Sequence, residues 1–217
     1  INYNILIPLF NNFIFNIFII SINNKKNFNY IKNVINESCN IVFDYIKISN
    51  EEKANLEALV RDAIGFRESG LRYNCTNSIG FAGKYQFGGY ALKEGGYIRK
   101  SVKGGSPKLR LNPDNWTGKD GVNNVDDWLA NKGDCQEKGM ILYTNANVKY
   151  LKANGSIREG DSKQLIAGLL MGAHLKGPND VRKWRNETAV GTDAYGTSID
   201  EYIQLGQATV PNTGVYV

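Results

Sequence analysis

The sequence predicts a mostly α-helical domain carrying a small irregular or β-like insert. Three observations point there. Apolar residues recur at helical spacing in several stretches, each opened by a capping signal and closed by glycine. The long region after the first of these is rich in Gly, Asn, Ser and Pro instead. No strand-rich stretch competes with the helices.

The 217 residues suffice for one domain of ordinary size with some left over. The excess of chain is at the N-terminus. Residues 1–50 hold 13 Asn and 13 Ile, and all 23 Gly fall at or after Gly65. Such a step in composition marks a boundary, so residues 1–48 are read as a leader and 49–217 as the folded domain. Ile5–Ile22 approaches the length of a membrane span, but Pro8, Asn11, Asn12 and Asn16 interrupt it, and buried amides are costly in hydrocarbon. Three readings stay open for this segment: a signal peptide or anchor, a low-complexity leader, or an element of the domain. A membrane partner follows only if residues 5–22 are an uncleaved anchor.

Ser49-Asn50-Glu51-Glu52 is a capping box. Leu56, Leu59, Val60, Ala63 and Ile64 then form an apolar stripe, and Gly70 suits the residue after the helix. Residues 71–89 read as loop or short strands. Tyr90–Glu94 reads as a short helix stopped by Gly95-Gly96. Gly104, Gly105, Pro107, Pro113 and Gly118 mark an irregular excursion over 99–121. Asp134 with Glu137 opens a helix running to about Ala153, closed by Gly155. Asp161 with Gln164 opens another, with the stripe Leu165, Ile166, Leu169, Leu170, Ala173, ended by Gly177-Pro178. Ser198 or Thr197 starts a last short helix through Leu205.

Composition narrows the chemistry. Lys+Arg 26 against Asp+Glu 21 leaves +5, which favours anionic partners but is too mild to imply nucleic acid. A single His excludes a His-rich metal centre and any Ser-His-Asp triad that does not use His174. Three Cys are no disulfide framework, although Cys75 and Cys135 could pair in a secreted domain, leaving Cys39 over.

Glu68 is the leading candidate for chemistry. It falls in the last turn of the first predicted helix, where the negative end of the macrodipole favours a protonated carboxyl. Ile64 and Phe66 are expected to desolvate it further. A protonated carboxyl near neutral pH is what a general acid requires.

The context of Glu68 carries more. Phe66-Arg67-Glu68-Ser69-Gly70 precedes Gly80-Phe81-Ala82-Gly83-Lys84-Tyr85-Gln86-Phe87-Gly88. Here the sequence resembles the lysozyme-like lytic transglycosylases and their relatives. In that family a Glu-Ser pair ends a helix and a Gly-x-x-Gly-x-x-Gln run turns into the sugar cleft. Gly80, Gly83 and Gln86 match that run in spacing. Gln136–Leu151 and Leu165–Gly177 look like later helices of the family, the second closing the cleft. Many members end that helix Ala-Tyr-Asn-x-Gly, whereas this chain has Ala173-His174-Leu175-Lys176-Gly177. The likeness spans roughly residues 51–206.

The resemblance implies a lysozyme-like α+β fold with the insert lining a sugar cleft. It implies that Glu68 is the catalytic acid, that Ser69 positions it, and that Gln86 lines the cleft; Gly83, Tyr85 and His174 are further candidate substrate contacts. Tyr73, Tyr90 and Trp116 are further candidate sugar platforms. Lys84, Arg67 and Arg72 could attract anionic peptide stems. The implied substrate is peptidoglycan or a related amino-sugar polymer, cut at the β-1,4 bond between N-acetylmuramic acid and N-acetylglucosamine. No metal or organic cofactor is implied. The enzyme is expected to act as a monomer, secreted or at the cell surface.

A two-carboxylate glycosidase needs a second acid across the cleft, and Asp114, Asp120, Asp126 and Asp127 are the weak candidates. With Glu68 alone, the muramyl C6 hydroxyl would serve as nucleophile and give an anhydro product. The alternatives are a hydrolytic lysozyme, a chitinase-like enzyme, a glycan-binding module without turnover, and a structural part of a secretion or phage-tail machine.

Overall fold

The computed structural model describes residues 51–211. The leader, the capping residue Ser49, the segment Ile5–Ile22 and Cys39 lie outside the described residues. Residues 55–211 belong to one compact unit.

The chain enters the unit through α1 (residues 51–69). Leu56, Val60 and Ile64 form its buried stripe, while Leu59, expected beside them, is exposed. Gly70 ends the helix at φ 62°, with its N–H donating to the Phe66 carbonyl at 2.9 Å.

The insert that follows has almost no regular structure. Isolated antiparallel bridges pair Thr76 with Ala82 and Ala82 with Phe87, and a third pairs Ile98 with Trp116. Asn77 shapes the first turn: its Oδ1 accepts the backbone N–H groups of Ile79, Gly80 and Phe81 at 3.1, 2.9 and 3.0 Å. Short side chains of this kind compete for backbone donors and stabilise turns over ladders. The six-residue α2 (Gly89–Glu94) then leads into 3-10 turns at Pro107–Leu111, Pro113–Asn115 and Lys119–Gly121. A short α3 (Val125–Leu129) is capped by the Asn124 side chain.

Four helices complete the unit: α4 (Cys135–Ala153), α5 (Lys163–Lys176), α6 (Pro178–Arg185) and α7 (Ile199–Thr209). The starts of α4 and α5 differ in detail from the sequence expectations. Asp134 sits at φ 58° and caps nothing with its side chain; Asn131 Oδ1 accepts the Gln136 N–H at 2.9 Å instead. The cap of α5 is Ser162, which accepts from the Leu165 N–H at 3.1 Å. Asp161 is drawn off by Arg185 of α6 and by the Arg158 N–H. Gly177-Pro178 ends α5 and also starts α6, because Pro at the first helical position lacks only a donor that would go unused there. The Ser198–Glu201 capping box opens α7, which runs to Thr209, beyond the expected end at Leu205.

Helices α5 and α7 cross closely through glycines. A Cβ on Gly168 would lie 2.7 Å from the Ile203 carbonyl, and one on Gly206 2.7 Å from the Ala167 carbonyl. The insert is pinned to the helices by an aromatic cluster. Phe87 stacks on Trp128 at 5.5 Å, and Trp128 meets Tyr97 edge-on at 5.0 Å.

Candidate functional site

Glu68, Ser69, His174 and Tyr202 come together from three helices. Ser69 does the local anchoring. Its buried Oγ donates to the Lys84 carbonyl at 2.8 Å and accepts the Arg72 N–H at 3.0 Å. The end of α1 is thereby tied to the turn over 82–87. One residue earlier, Glu68 points to α5 and α7. The Tyr202 hydroxyl donates to Glu68 Oε1 at 2.5 Å. His174 Nε2 stands 3.7 Å from the same oxygen, beyond hydrogen-bond reach and an ion pair only when the ring is protonated. The Glu68 side chain keeps 17% exposure. Phe66, expected to desolvate it, is 71% exposed and turned away. The enclosure of Glu68 comes from Tyr202 and His174 instead.

Burial pulls both partners toward their neutral forms. It pushes the Tyr202 phenol well above the usual tyrosine range, and the nearby Glu68 carboxylate adds to the effect. It pushes His174 below its ordinary value, while Glu68 and the Tyr85 backbone pull the other way. The buried His174 Nδ1 completes no hydrogen bond.

A groove of about 860 Å³ opens beside this cluster. Phe81, Gln86, Tyr90, Tyr143, Tyr150 and His174 line it. Tyr90 is 68% exposed, so one ring presents a wide face. Glu94, Lys176 and Asp180 add charge to the lining. Glu68 is not part of that lining; His174 stands on the groove wall and touches Glu68 from there. Among the described residues, no group of three His, Cys, Asp or Glu side chains is placed to hold a metal ion.

Several expected contacts belong to the scaffold. Tyr85 is 1% exposed, and its hydroxyl donates to Glu137 Oε2 at 2.5 Å, so its ring face is closed to a sugar. Trp116 is likewise buried, with Nε1 on the Arg110 carbonyl at 2.9 Å. Tyr73 donates to Glu137 Oε1 at 2.8 Å. Lys84 is buried and paired with the same carboxylate at 2.8 Å, so its charge is spent internally. Gly83 is buried against Gln136. A Cβ there would fall 2.2 Å from Gln136 Oε1, the atom that accepts the Lys84 N–H at 2.6 Å. Gln86 does reach the groove, held at φ 47° with Nε2 donating to the Gly83 carbonyl at 2.8 Å. Arg72 folds back, its Nε donating to the Ser69 carbonyl at 2.8 Å, and Arg67 lies 5.9 Å over the Tyr202 ring.

The suggested Cys75–Cys135 bridge is not formed; both thiols are free. Cys135 Sγ is turned into the core toward the Trp128 carbonyl at 3.7 Å, and Cys75 Sγ faces the Arg72 carbonyl at 3.1 Å. None of the four aspartates considered as a second acid lines the groove. Asp120 is held by Tyr97 and Lys119, at 2.7 and 2.8 Å, and Asp127 by the Asn123 N–H and Lys132, at 3.0 and 3.1 Å.

Five residues of the site and its support escape the sequence analysis. Tyr202, Tyr143 and Tyr150 are tyrosines on ordinary helix faces, with nothing local to single them out. Glu94 closes the short helix α2 and reaches the groove. Glu137 was read as part of a helix cap, yet it gathers Tyr73, Lys84 and Tyr85. Burial opposes its charge, but Lys84 and the two phenols outweigh that and hold it below the usual carboxylate range.

Comparison of the chain with protein-family models, with curated proteins and with solved structures finds no match.

Proposed function

We propose that the chain is a peptidoglycan-cleaving glycosidase of lysozyme-like architecture, with Glu68 as its single general acid and base. The observation that carries this reading is the setting of Glu68. A partly exposed carboxylate has one oxygen fixed by Tyr202, and His174, 3.7 Å from that oxygen, also lines an aromatic-rich groove. Fixing Oε1 leaves Oε2 as the oxygen able to exchange a proton. The resemblance around Glu68-Ser69 and Gly80–Gly88 supplies the substrate class: an amino-sugar polymer whose pyranose faces pack on Tyr90 and Tyr150, with Gln86 as a polar contact.

The chemistry follows from one acid. Glu68 protonates the glycosidic oxygen as the bond to C1 breaks, and the resulting carboxylate then takes the proton of the muramyl C6 hydroxyl. That oxygen closes onto C1 and leaves the anhydro sugar, with Glu68 protonated again. Such an enzyme works outside the cytoplasm, where peptidoglycan is, and needs no cofactor. A second reading, hydrolysis as in lysozyme, is favoured by one observation: Glu94 lines the groove and could hold a water. The test of the main reading is turbidity loss of a cell-wall suspension. The wild-type chain clears it and Glu68→Gln does not, while clearing by Glu68→Gln removes the assigned role.

A further inference from the structure

We propose that His174 is a positioning residue that governs when Glu68 can act: neutral, it leaves the carboxyl anchored by Tyr202 alone, and protonated, it locks Glu68 in an ion pair. This rests on the reading of Glu68 as the acid. Three facts point to it. His174 Nε2 and the Tyr202 hydroxyl converge on the same oxygen, Glu68 Oε1, at 3.7 and 2.5 Å. The His174 side chain is only 6% exposed, and its other nitrogen completes no hydrogen bond. His174 also forms part of the groove wall, so its charge is felt where substrate lies.

At 3.7 Å a neutral ring adds little to the geometry of Glu68. Adding a proton turns that contact into a buried ion pair, which ties Glu68 to the His174 side and away from the groove's reacting bond. Charged and titratable groups surround the pair, and Glu94, Lys176 and Asp180 line the same groove as His174. Glu68 and Arg67 come from α1, Tyr202 from α7, Tyr143 from α4, and Asp193 acts on Tyr202 from the loop before α7. Glu94 acts on Tyr143 from α2, and Tyr85 approaches through its backbone. Burial holds His174 below the ordinary histidine value, so the lock closes only in acid.

The chain has a single His, so its ring signal in NMR is unambiguous. The first arm follows that signal against pH in the wild type and in Glu68→Gln. The titration midpoint is expected below 6.5 in the wild type and lower again in Glu68→Gln, since the partner charge that favours the imidazolium is gone. Equal midpoints overturn the pairing. The second arm is the pH profile of cleavage. In His174→Gln the fall in kcat on the acid side moves to lower pH. An acid limb unmoved in His174→Gln overturns the proposal alone, provided Glu68→Gln abolishes cleavage. Absence of cleavage by the wild type overturns both the proposal and the reading beneath it. Should His174→Gln fail to fold, His174→Asn takes its place, and the NMR arm is unaffected.

Discussion

Tyr202 and Glu68 are 134 residues apart in the chain, and the Tyr202 hydroxyl sits 2.5 Å from Glu68 Oε1. The contact exists because α7 crosses α5 closely enough for its fourth residue to reach the end of α1. It sets which carboxylate oxygen the hydroxyl engages.

Removing the hydroxyl tests that arrangement. Tyr202→Phe keeps the ring in the core and deletes the donor. Loss of a hydrogen bond to a charged group costs about 1.5–3 kcal/mol. Part of that appears as reduced stability in urea melts and part as a lower kcat, with the groove and therefore KM preserved. A variant with wild-type kcat would show that Oε1 needs no anchor.

The Gly83–Gln136 contact predicts a large structural effect at a position expected to touch substrate. Gly83→Ala places a methyl 2.2 Å from Gln136 Oε1 and puts an L residue at φ 84°. Breaking the buried Gln136 hydrogen bonds and imposing left-handed backbone strain together cost about 2–4 kcal/mol. Chemical denaturation measures it. A change under 0.5 kcal/mol, on the order of a neutral surface substitution, would contradict the assignment of Gly83 to the scaffold.

Glu137 predicts a pH dependence. Its carboxyl is held below its unfolded value, so its contribution to stability is complete above about 4.5 and is lost as pH falls through the folded value. Glu137→Gln lowers Tm near neutral pH, and the gap to the wild type narrows below pH 4.5. A gap constant down to pH 3 would mean the cluster acts by packing alone.

Cysteine labelling separates the two described thiols. Cys135 is fully buried, and burial pushes its thiol up to about 11, so it resists alkylation in the native state. Cys75 is partly exposed and reacts first. Peptide mapping after brief iodoacetamide treatment reads this directly; a Cys75–Cys135 disulfide peptide would contradict the packing.

Much of the helical frame is legible in the sequence because its signals are local. The start of α7 at Ser198 or Thr197 and the apolar stripes of α1 and α5 each lie within a few residues. Errors arise where a distant partner decides. Asp161 caps nothing because Arg185, 24 residues on, claims it. Helix α6 was hidden because Pro178 reads as a stop when it also serves as a start. Tyr85 looks like a sugar platform until Glu137, 52 residues later, draws its hydroxyl inward. At the site, Glu68, Ser69 and Gln86 stand out through one short stretch of sequence. Tyr202 does not, because its role comes wholly from helix crossing.

The most direct test of Glu68 as the acid of a glycan-cleaving site is mass spectrometry of purified peptidoglycan after digestion. The account predicts muropeptides ending in anhydro-muramic acid, one water lighter than reducing-end products, from the wild type and none from Glu68→Gln. Intact glycan after incubation with the wild type, or the same fragments from Glu68→Gln, would contradict it.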